Sequence, residues 1–175
     1  MTLLQQLTED AHERQLISSR LLKAPGTLVF SAWTTPEYLA QWWGPKGFTN
    51  TFQKFEPVHG GEWKYMMHGP NGGHYPNESR FLEVSANRIV IHHISNPKFY
   101  LIATFEEKDH ERTRITFRQV FETEEDFNKV KVFAVDANEE NLDRLEMVLH
   151  QLTGERKLLL TKTFVISRNS FEVAP

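Results

Sequence analysis

Alternation of apolar and polar positions through the middle of the chain predicts a sheet. In residues 62–68, for example, Trp63, Tyr65 and Met67 alternate with Lys64, Met66 and His68, which gives the segment an aromatic face. Clusters of turn residues, such as residues 69–73, separate it from similar segments between residues 48 and 122. Six strands joined by such short turns are typical of an antiparallel meander.

Helical spacing flanks this region on both sides. A strand at residues 15–23 precedes two short helices over residues 27–43, which are separated at Thr35 and Pro36. After a capping pattern that begins at Thr123, the clearest helix of the chain covers residues 136–152 and ends at Thr153 and Gly154. Its apolar stripe consists of Leu142, Leu145, Val148, Leu149 and Leu152.

This order of elements predicts an α+β fold of the helix-grip type. We expect a curved antiparallel sheet of about seven strands that wraps around the long C-terminal helix, with two short helices between the first two strands. One helix covers only part of so large a sheet. The space left between sheet and helix therefore predicts a cavity.

The chain is expected to form one folded domain with two appendages. Residues 1–13 form an N-terminal arm, residues 14–153 the domain, and residues 154–175 a C-terminal extension. Residues 162–168 faintly repeat residues 14–20, which indicates either the first strand of a truncated second copy or an added edge strand. Because an unpaired apolar strand seeks a partner, we expect it to pair, and a homodimer through this strand is one way to do so.

Composition narrows the classes of function. The net charge of −3 and pI near 6.2 give no overall positive field for nucleic acid, so no nucleic-acid partner is expected. Cysteine is absent, which removes thiol nucleophiles and Cys-ligated metals. No apolar run reaches the roughly 20 residues that span a bilayer, and the first residues lack the pattern of a secretory signal, so we expect a cytoplasmic protein without membrane insertion.

Several segments resemble one known family. They are Ala24-Pro25, residues 29–34, residues 36–45 with their Trp-Trp-Gly-Pro element, residues 60–63, residues 67–70, residues 75–78 and residues 138–145. Over about residues 15–152 the chain is similar to the activator of heat-shock-protein-90 ATPase homologue-like (AHSA-type) family. That family belongs to a superfamily with START lipid-transfer domains, birch-type pollen allergens and polyketide cyclases.

The resemblance implies a helix-grip fold and often a cavity for a hydrophobic molecule. It does not imply one activity, because the superfamily contains carriers, cyclases and co-chaperone modules. This branch has no shared catalytic set to transfer, and a chaperone partner follows from analogy alone.

Candidate cavity residues come from the inward faces of the predicted elements. They are Trp43, Trp63, Tyr65, Met67, Glu78, His93, Phe105, Phe117, Gln119, Asn141 and Leu145. For each aromatic residue, core packing is the alternative to ligand contact. Residues 138–144 are expected to be mostly a solvated face with a Glu140–Arg144 ion pair, although Asn138 and Asn141 flank the apolar stripe and face the cavity in one interpretation.

Polar side chains within strands have two interpretations. Glu78 and Arg118 lie among apolar neighbours, so each is either part of a salt bridge between strands or, for Glu78, a buried carboxylate able to shuttle protons. His92 and His93 are adjacent on a strand and point to opposite faces, so they do not chelate one ion together. No metal, cofactor or nucleophile is expected.

The favoured function is therefore binding of a small apolar ligand in the cavity, without catalysis. An aromatic polyketide, a flavonoid-like molecule or a lipid would suit the aromatic lining. Two alternatives remain at this point. A protein-interaction module would show an exposed patch outside a cavity too small for a ligand. An enzyme, such as a polyketide cyclase-like or hydrolase-like one, would bring two groups among Glu78, His93, Gln119 and Arg118 within hydrogen-bond reach inside the cavity.

Overall fold

A seven-stranded antiparallel sheet and one long helix form the framework of the protein. The computed structural model describes residues 2–9, 11 and 13–169. The elements in chain order are α1 (Leu3–Glu9), β1 (Gln15–Leu22), α2 (Gly26–Thr34), α3 (Pro36–Trp42), β2 (Thr49–Phe55), β3 (Glu62–His68), β4 (His74–Ser85), β5 (Arg88–His93), β6 (Phe99–Asp109), β7 (Arg112–Phe121) and α4 (Glu124–Asn169). The predicted helix-grip fold is confirmed.

The strand order across the sheet is β1-β7-β6-β5-β4-β3-β2, with every neighbouring pair antiparallel. The six strands from β2 to β7 form the predicted meander, and β1 joins it beside β7. Register shifts at Phe52/Lys54, Phe81/Glu83 and Glu107/Asp109 interrupt three of the ladders. Such bulges bend strands and increase their twist, which helps the sheet to curve around α4.

The two short helices and the C-terminal half of the domain share one aromatic core. The ring of Trp33 in α2 packs edge-on against Trp42 in α3 at 4.9 Å and against Phe117 in β7 at 5.3 Å. The apolar stripe of α4 supplies Leu142 and Leu145, both fully buried. Burial of each large apolar side chain in this core stabilises the folded protein by about 2 kcal/mol.

An ion-pair cluster fixes α4 against the edge strand β1. The Arg20 guanidinium lies 2.6 Å from a Glu139 carboxylate oxygen, 2.5 Å from Asp143 and 3.3 Å from Glu146. The three acceptors lie at i, i+4 and i+7 on one face of the helix. Arg20 therefore links β1 to two turns of α4.

Helix α4 is longer than predicted, and this corrects two predictions. It runs through Gly154, where an end was expected, and residues 162–168 are helical where an added strand was expected. One glycine costs a helix about 1 kcal/mol, which the helix-forming residues at 155–160 offset. The Thr153 hydroxyl also donates to the Leu149 carbonyl at 2.8 Å, within the helix rather than at an end.

The correction bears on the predicted dimer and on the domain boundary. In the described part of the extension there is no strand through which two chains could pair. The helix crosses the predicted boundary at residue 154, and the division into an arm, a domain and an extension stays a prediction.

Leu145→Asp is expected to destabilise the fold by about 4 kcal/mol or more, because it places a carboxylate among fully buried apolar side chains. Met147→Asp is the matched control, since Met147 lies two residues away on the same helix and is 73% exposed. Urea denaturation followed by circular dichroism measures both variants. Equal stabilities for the two variants would contradict the orientation of α4.

Candidate functional site

A cavity of about 510 Å³ lies between the sheet and the first half of α4. Its walls are the loop between α3 and β2, the inner faces of the strands from β3 to β7, the turn before β6, and α4 from Val130 to Asn141. Further along the helix, Leu142 and Leu145 pack directly into the core. Helix and sheet therefore meet at one end and are separated at the other, and the cavity occupies the separated end.

Aromatic rings dominate the lining. Eight contribute: Trp43, Phe48, Tyr65, Tyr75, Phe99, Phe117, Phe121 and Phe133. Tyr75 and Phe133 are 54% and 58% exposed, so they form part of the rim rather than the floor. Exposed aromatic side chains at the entrance of an aromatic cavity are typical of a site that takes up apolar molecules.

The described lining contains no Asp, Glu, Lys or Arg side chain. His93 is its one titratable nitrogen base. Burial, with a smaller contribution from the neighbouring His92, lowers the pKa of His93 to about 4, so the imidazole is neutral at pH 7. The cavity is consequently uncharged.

A chain of polar groups crosses the sheet wall of the cavity. The Trp43 indole N–H donates to the Tyr65 hydroxyl oxygen at 3.1 Å, and the Ser79 hydroxyl lies 3.1 Å from Nδ1 of His93. Burial raises the pKa of Tyr65, against the opposing effect of hydrogen bonds to Trp43 and Ser79. Tyr65 therefore remains a phenol, able to donate a hydrogen bond to a ligand.

The helix wall adds amide groups. The Asn138 amide donates to the Gln119 side-chain oxygen at 2.8 Å, which links α4 to β7 across the cavity. The Asn141 side-chain oxygen accepts from the Gly44 backbone N–H at 3.0 Å. Both asparagines are more than nine-tenths buried, so their partners are structurally required.

One arginine holds the loop wall in place. Nη1 of Arg144 donates to the backbone carbonyl oxygens of Gly44 at 2.6 Å and Pro45 at 3.0 Å. Nη2 donates to the backbone carbonyl oxygens of Gln41 at 2.7 Å and Phe48 at 2.9 Å. Nη1 also lies 3.3 Å from the Trp43 carbonyl oxygen. Partial burial lowers the pKa of Arg144, which nonetheless stays cationic because its reference value is so high.

The predicted solvated face of residues 138–144 is therefore wrong in part. Arg144 forms no ion pair with Glu140 in the described part of the chain. The Glu140 carboxylate instead accepts from the Lys46 backbone N–H at 2.9 Å. Gly44 has a φ of +94°, and a Cβ there would come within 2.6 Å of the Met67 methyl group, so the loop requires glycine at this position.

Seven of the eleven predicted cavity residues line it: Trp43, Tyr65, Met67, His93, Phe117, Gln119 and Asn141. Trp63, Phe105 and Leu145 lie in the packed core instead. They share a face with residues that do line the cavity, but that face extends under the closed end of the helix. Whether the seven contact a ligand stays a prediction.

Glu78 is not a buried carboxylate. Its side chain is 43% exposed and lies 3.6 Å from the Lys64 ammonium on the neighbouring strand β3, so the salt-bridge interpretation holds. Arg118 lies on the outer face, where it donates to the Gln15 side-chain oxygen at 2.8 Å. Neither residue lines the cavity.

The prediction missed several lining residues, chiefly Phe48, Phe99, Phe121, Val130 and Phe133. Val130 and Phe133 are apolar residues in the first turns of α4. Their only signal in the sequence was that they extend the apolar character of the helix toward its N-terminus. Phe99 and Phe121 face each other across β6 and β7 at the register position Phe99↔Phe121, which sequence alone does not reveal.

Two findings concern other kinds of site. Among the described residues, no group of three or more His, Cys, Asp or Glu side chains could hold a metal ion. His92 points away from the cavity and lies 2.7 Å from Glu122, whereas His93 points into it, as expected for adjacent strand residues.

Within residues 2–9, 11 and 13–169, no helix is both long and apolar enough to cross a bilayer.

Comparison with known proteins identifies relatives of the fold. The sequence profile described as Activator of Hsp90 ATPase homolog 1-like protein matches residues 23–150. A crystal structure of a protein from Nitrosomonas europaea superposes with a TM-score of 0.74 at 24% identity, over 82% of this chain and 98% of the other. A solution structure from Arthrobacter aurescens has a TM-score of 0.74 at 22% identity, over 82% and 90% of the two chains.

The AHSA1 protein from Silicibacter pomeroyi is more distant, with a TM-score of 0.65 at 15% identity over 78% of this chain and 98% of the other. At these identities the structures show a shared fold alone. Among curated proteins, no sequence matches the chain.

Arg144→Gln is expected to lower the free energy of unfolding by about 3 kcal/mol, because several backbone carbonyls lose a charged donor. It is also expected to increase amide hydrogen exchange in residues 44–48. Arg80→Gln is the control, since Arg80 is exposed and forms an ion pair with Glu62 at 3.3 Å on the surface, so its loss should cost less than about 1 kcal/mol. Unchanged exchange in the loop of Arg144→Gln would refute the anchoring role.

His93 is expected to make stability depend on pH. Its pKa is about 4 when folded and 6.5 in the reference state, so below pH 6.5 the unfolded chain binds the proton more readily. The stability that follows from this pKa difference is fully present above pH 6.5 and is lost as pH falls toward 4. Between pH 7.5 and 5 the free energy of unfolding should fall by about 2 kcal/mol for this reason.

Urea denaturation at several pH values measures how the free energy of unfolding changes with pH in the wild type and in His93→Gln. The variant should lose the part of this slope that His93 contributes. His110→Gln, in the exposed turn between β6 and β7, should retain it. A slope unchanged by His93→Gln would show that folding does not lower the pKa of His93.

Proposed function

Because the chain belongs to the activator of Hsp90 ATPase homolog 1-like family and its helix-grip fold encloses a cavity, we propose that the protein binds a small, neutral, aromatic molecule there, without catalysing a reaction. The observation that carries the proposal is the lining, in which eight aromatic rings surround a space that no Asp, Glu, Lys or Arg among the described residues enters.

The volume supports a small molecule as ligand. Ligand cavities in proteins commonly measure about 300–1,000 Å³ and are lined by apolar and aromatic side chains with few polar groups. The cavity, at about 510 Å³, lies within this range. A protein-interaction module with a cavity too small for a ligand is therefore the weaker interpretation.

The absence of charge in the described lining argues against an ionised ligand. A buried carboxylate or ammonium costs several kcal/mol unless a countercharge or several hydrogen bonds compensate it. The lining offers the Tyr65 hydroxyl, the His93 imidazole and the amides of Gln119, Asn138 and Asn141, all neutral at pH 7. A fatty acid would lack a cation for its head group, whereas a phenol, ketone or aromatic amide would find hydrogen-bond partners.

The polar groups also favour binding over catalysis. An enzyme was expected to bring together two groups among Glu78, His93, Gln119 and Arg118. Glu78 and Arg118 do not line the cavity, while His93 bonds to Ser79 and Gln119 accepts from Asn138. His93 with a pKa near 4 is also a weak general base at pH 7.

Isothermal titration calorimetry with β-naphthol and β-naphthoate at pH 7.5 tests the proposal. The two probes share a ring system and differ in charge. We expect the neutral phenol to bind at least tenfold more tightly, which corresponds to about 1.4 kcal/mol. Equal or tighter binding of the carboxylate would refute a neutral ligand.

A pair of adjacent substitutions locates the binding. Phe133→Asp, at the rim, is expected to weaken β-naphthol binding at least fivefold, because it adds a charge at the entrance of the cavity. Val132→Asp introduces the same charge one residue away, at a side chain that is 84% exposed and outside the lining, and should leave binding within twofold. Equal effects of the two variants would place the site elsewhere.

A further inference from the structure

A second concave surface lies at the other end of the domain. It is a groove of about 630 Å³ formed by the start of α2, the turn between β6 and β7, and α4 beyond His150. The residues of α4 that line the aromatic cavity end at Asn141, so the same helix borders two sites at different points along its length.

The groove is cationic in an otherwise acidic protein. Lys23, Arg112, Arg156 and Lys157 line it, against the single carboxylate of Glu111. These five side chains carry a net charge of +3. Because the whole chain has a net charge of −3, the remaining residues carry −6. The groove therefore carries a net positive charge, whereas the remaining residues together are net negative.

Three of the four cations have no carboxylate of their own. Arg112 lies 2.6 Å from Asp109, whereas Lys23, Arg156 and Lys157 form no ion pair within the described residues. Like charges held together without counterions repel one another. An anionic partner would relieve that repulsion. Added salt would screen the charges and so reduce the binding energy gained.

Apolar side chains also line the groove, beside His110, His150 and Thr153. Pro25 and Leu28 are half-buried, and Leu160 is 62% exposed. Thr153, Arg156, Lys157 and Leu160 follow the i, i+3, i+4, i+7 spacing of one helix face, so the extension of α4 presents basic and apolar side chains to the groove together.

We propose that this groove is a docking site for an acidic segment of a partner protein, with apolar side chains that contact Leu28 and Leu160. The cations stand on three separate elements around the apolar floor, which suits several carboxylates spaced along a chain better than one small anion. A flat bilayer surface cannot follow a concave groove to Pro25 and Leu28. The segment and the ligand of the aromatic cavity use different residues, so either can bind alone.

Two labelled model peptides of equal length test the proposal. One carries Leu at helical i, i+3, i+4 spacing with Glu elsewhere, and the other replaces each Glu by Lys. Fluorescence anisotropy at low salt should show binding of the acidic peptide only, with an affinity that falls as salt is added. Binding of neither peptide, or of both equally, would overturn the proposal.

Matched variants place the peptide in the groove. The double variant Arg156→Glu and Lys157→Glu should weaken binding of the acidic peptide at least tenfold. The single variant Lys23→Glu should weaken it at least threefold. The same charge change at Lys46 and Lys98, exposed residues outside the groove, should have less than a twofold effect. Leu160→Gln should weaken binding at least threefold, and Leu158→Gln, two positions away on another side of the helix, should not.

Two further measurements exclude other occupants. If vesicles of phosphatidylglycerol and phosphatidylcholine bind with the same dependence on Lys157 while the peptide does not, the groove is a membrane contact and the proposal fails. If light scattering shows a dimer that the Arg156→Glu and Lys157→Glu substitutions dissociate, the occupant is a second copy of the chain, and the proposal also fails.

Discussion

The contact between Arg144 and the loop that follows α3 is the constraint on which the candidate site depends. The loop must leave helix α3, pass over the end of the helix–sheet interface and enter β2, and on this path its carbonyl groups have no ladder or helix partners. Arg144 supplies donors to several of them from α4, while Glu140 and Asn141 accept from the N–H groups of Lys46 and Gly44. Buried or half-buried backbone groups need such partners, so these contacts hold the loop against α4.

Fixing this loop also keeps the cavity open. Trp43 and Phe48 are carried by the loop, and the Trp43 indole is further positioned by its hydrogen bond to Tyr65. A loop free to move inward would allow the aromatic rings to collapse onto the sheet, since burial of each ring is favourable. The polar contacts on α4 oppose that collapse. The empty volume between helix and sheet is thus maintained by hydrogen bonds at its border.

The length of α4 separates two chemistries along one helix. At about 1.5 Å per residue, its 46 residues extend for about 69 Å, far more than the sheet can cover. Its first turns border an uncharged aromatic cavity, its middle packs into the core, and its residues between His150 and Leu160 line an open cationic groove. A neutral ligand and an acidic protein segment could therefore be bound by one domain without competing for residues.

The amino-acid sequence alone determined the meander, the two short helices and the apolar stripe from Leu142 to Leu152, because period-2 and period-3.6 patterns are local properties of the chain. It also indicated the inward faces on which Tyr65, Met67 and Phe117 lie. Only the tertiary structure decided which inward residues face empty space. Trp63 and Tyr65 share a face, yet one is core and the other borders the cavity, because this depends on how far α4 stands from the sheet at each point. The role of Arg144 and the helical state of residues 162–168 were likewise decided by contacts and helix continuity that no local pattern encodes.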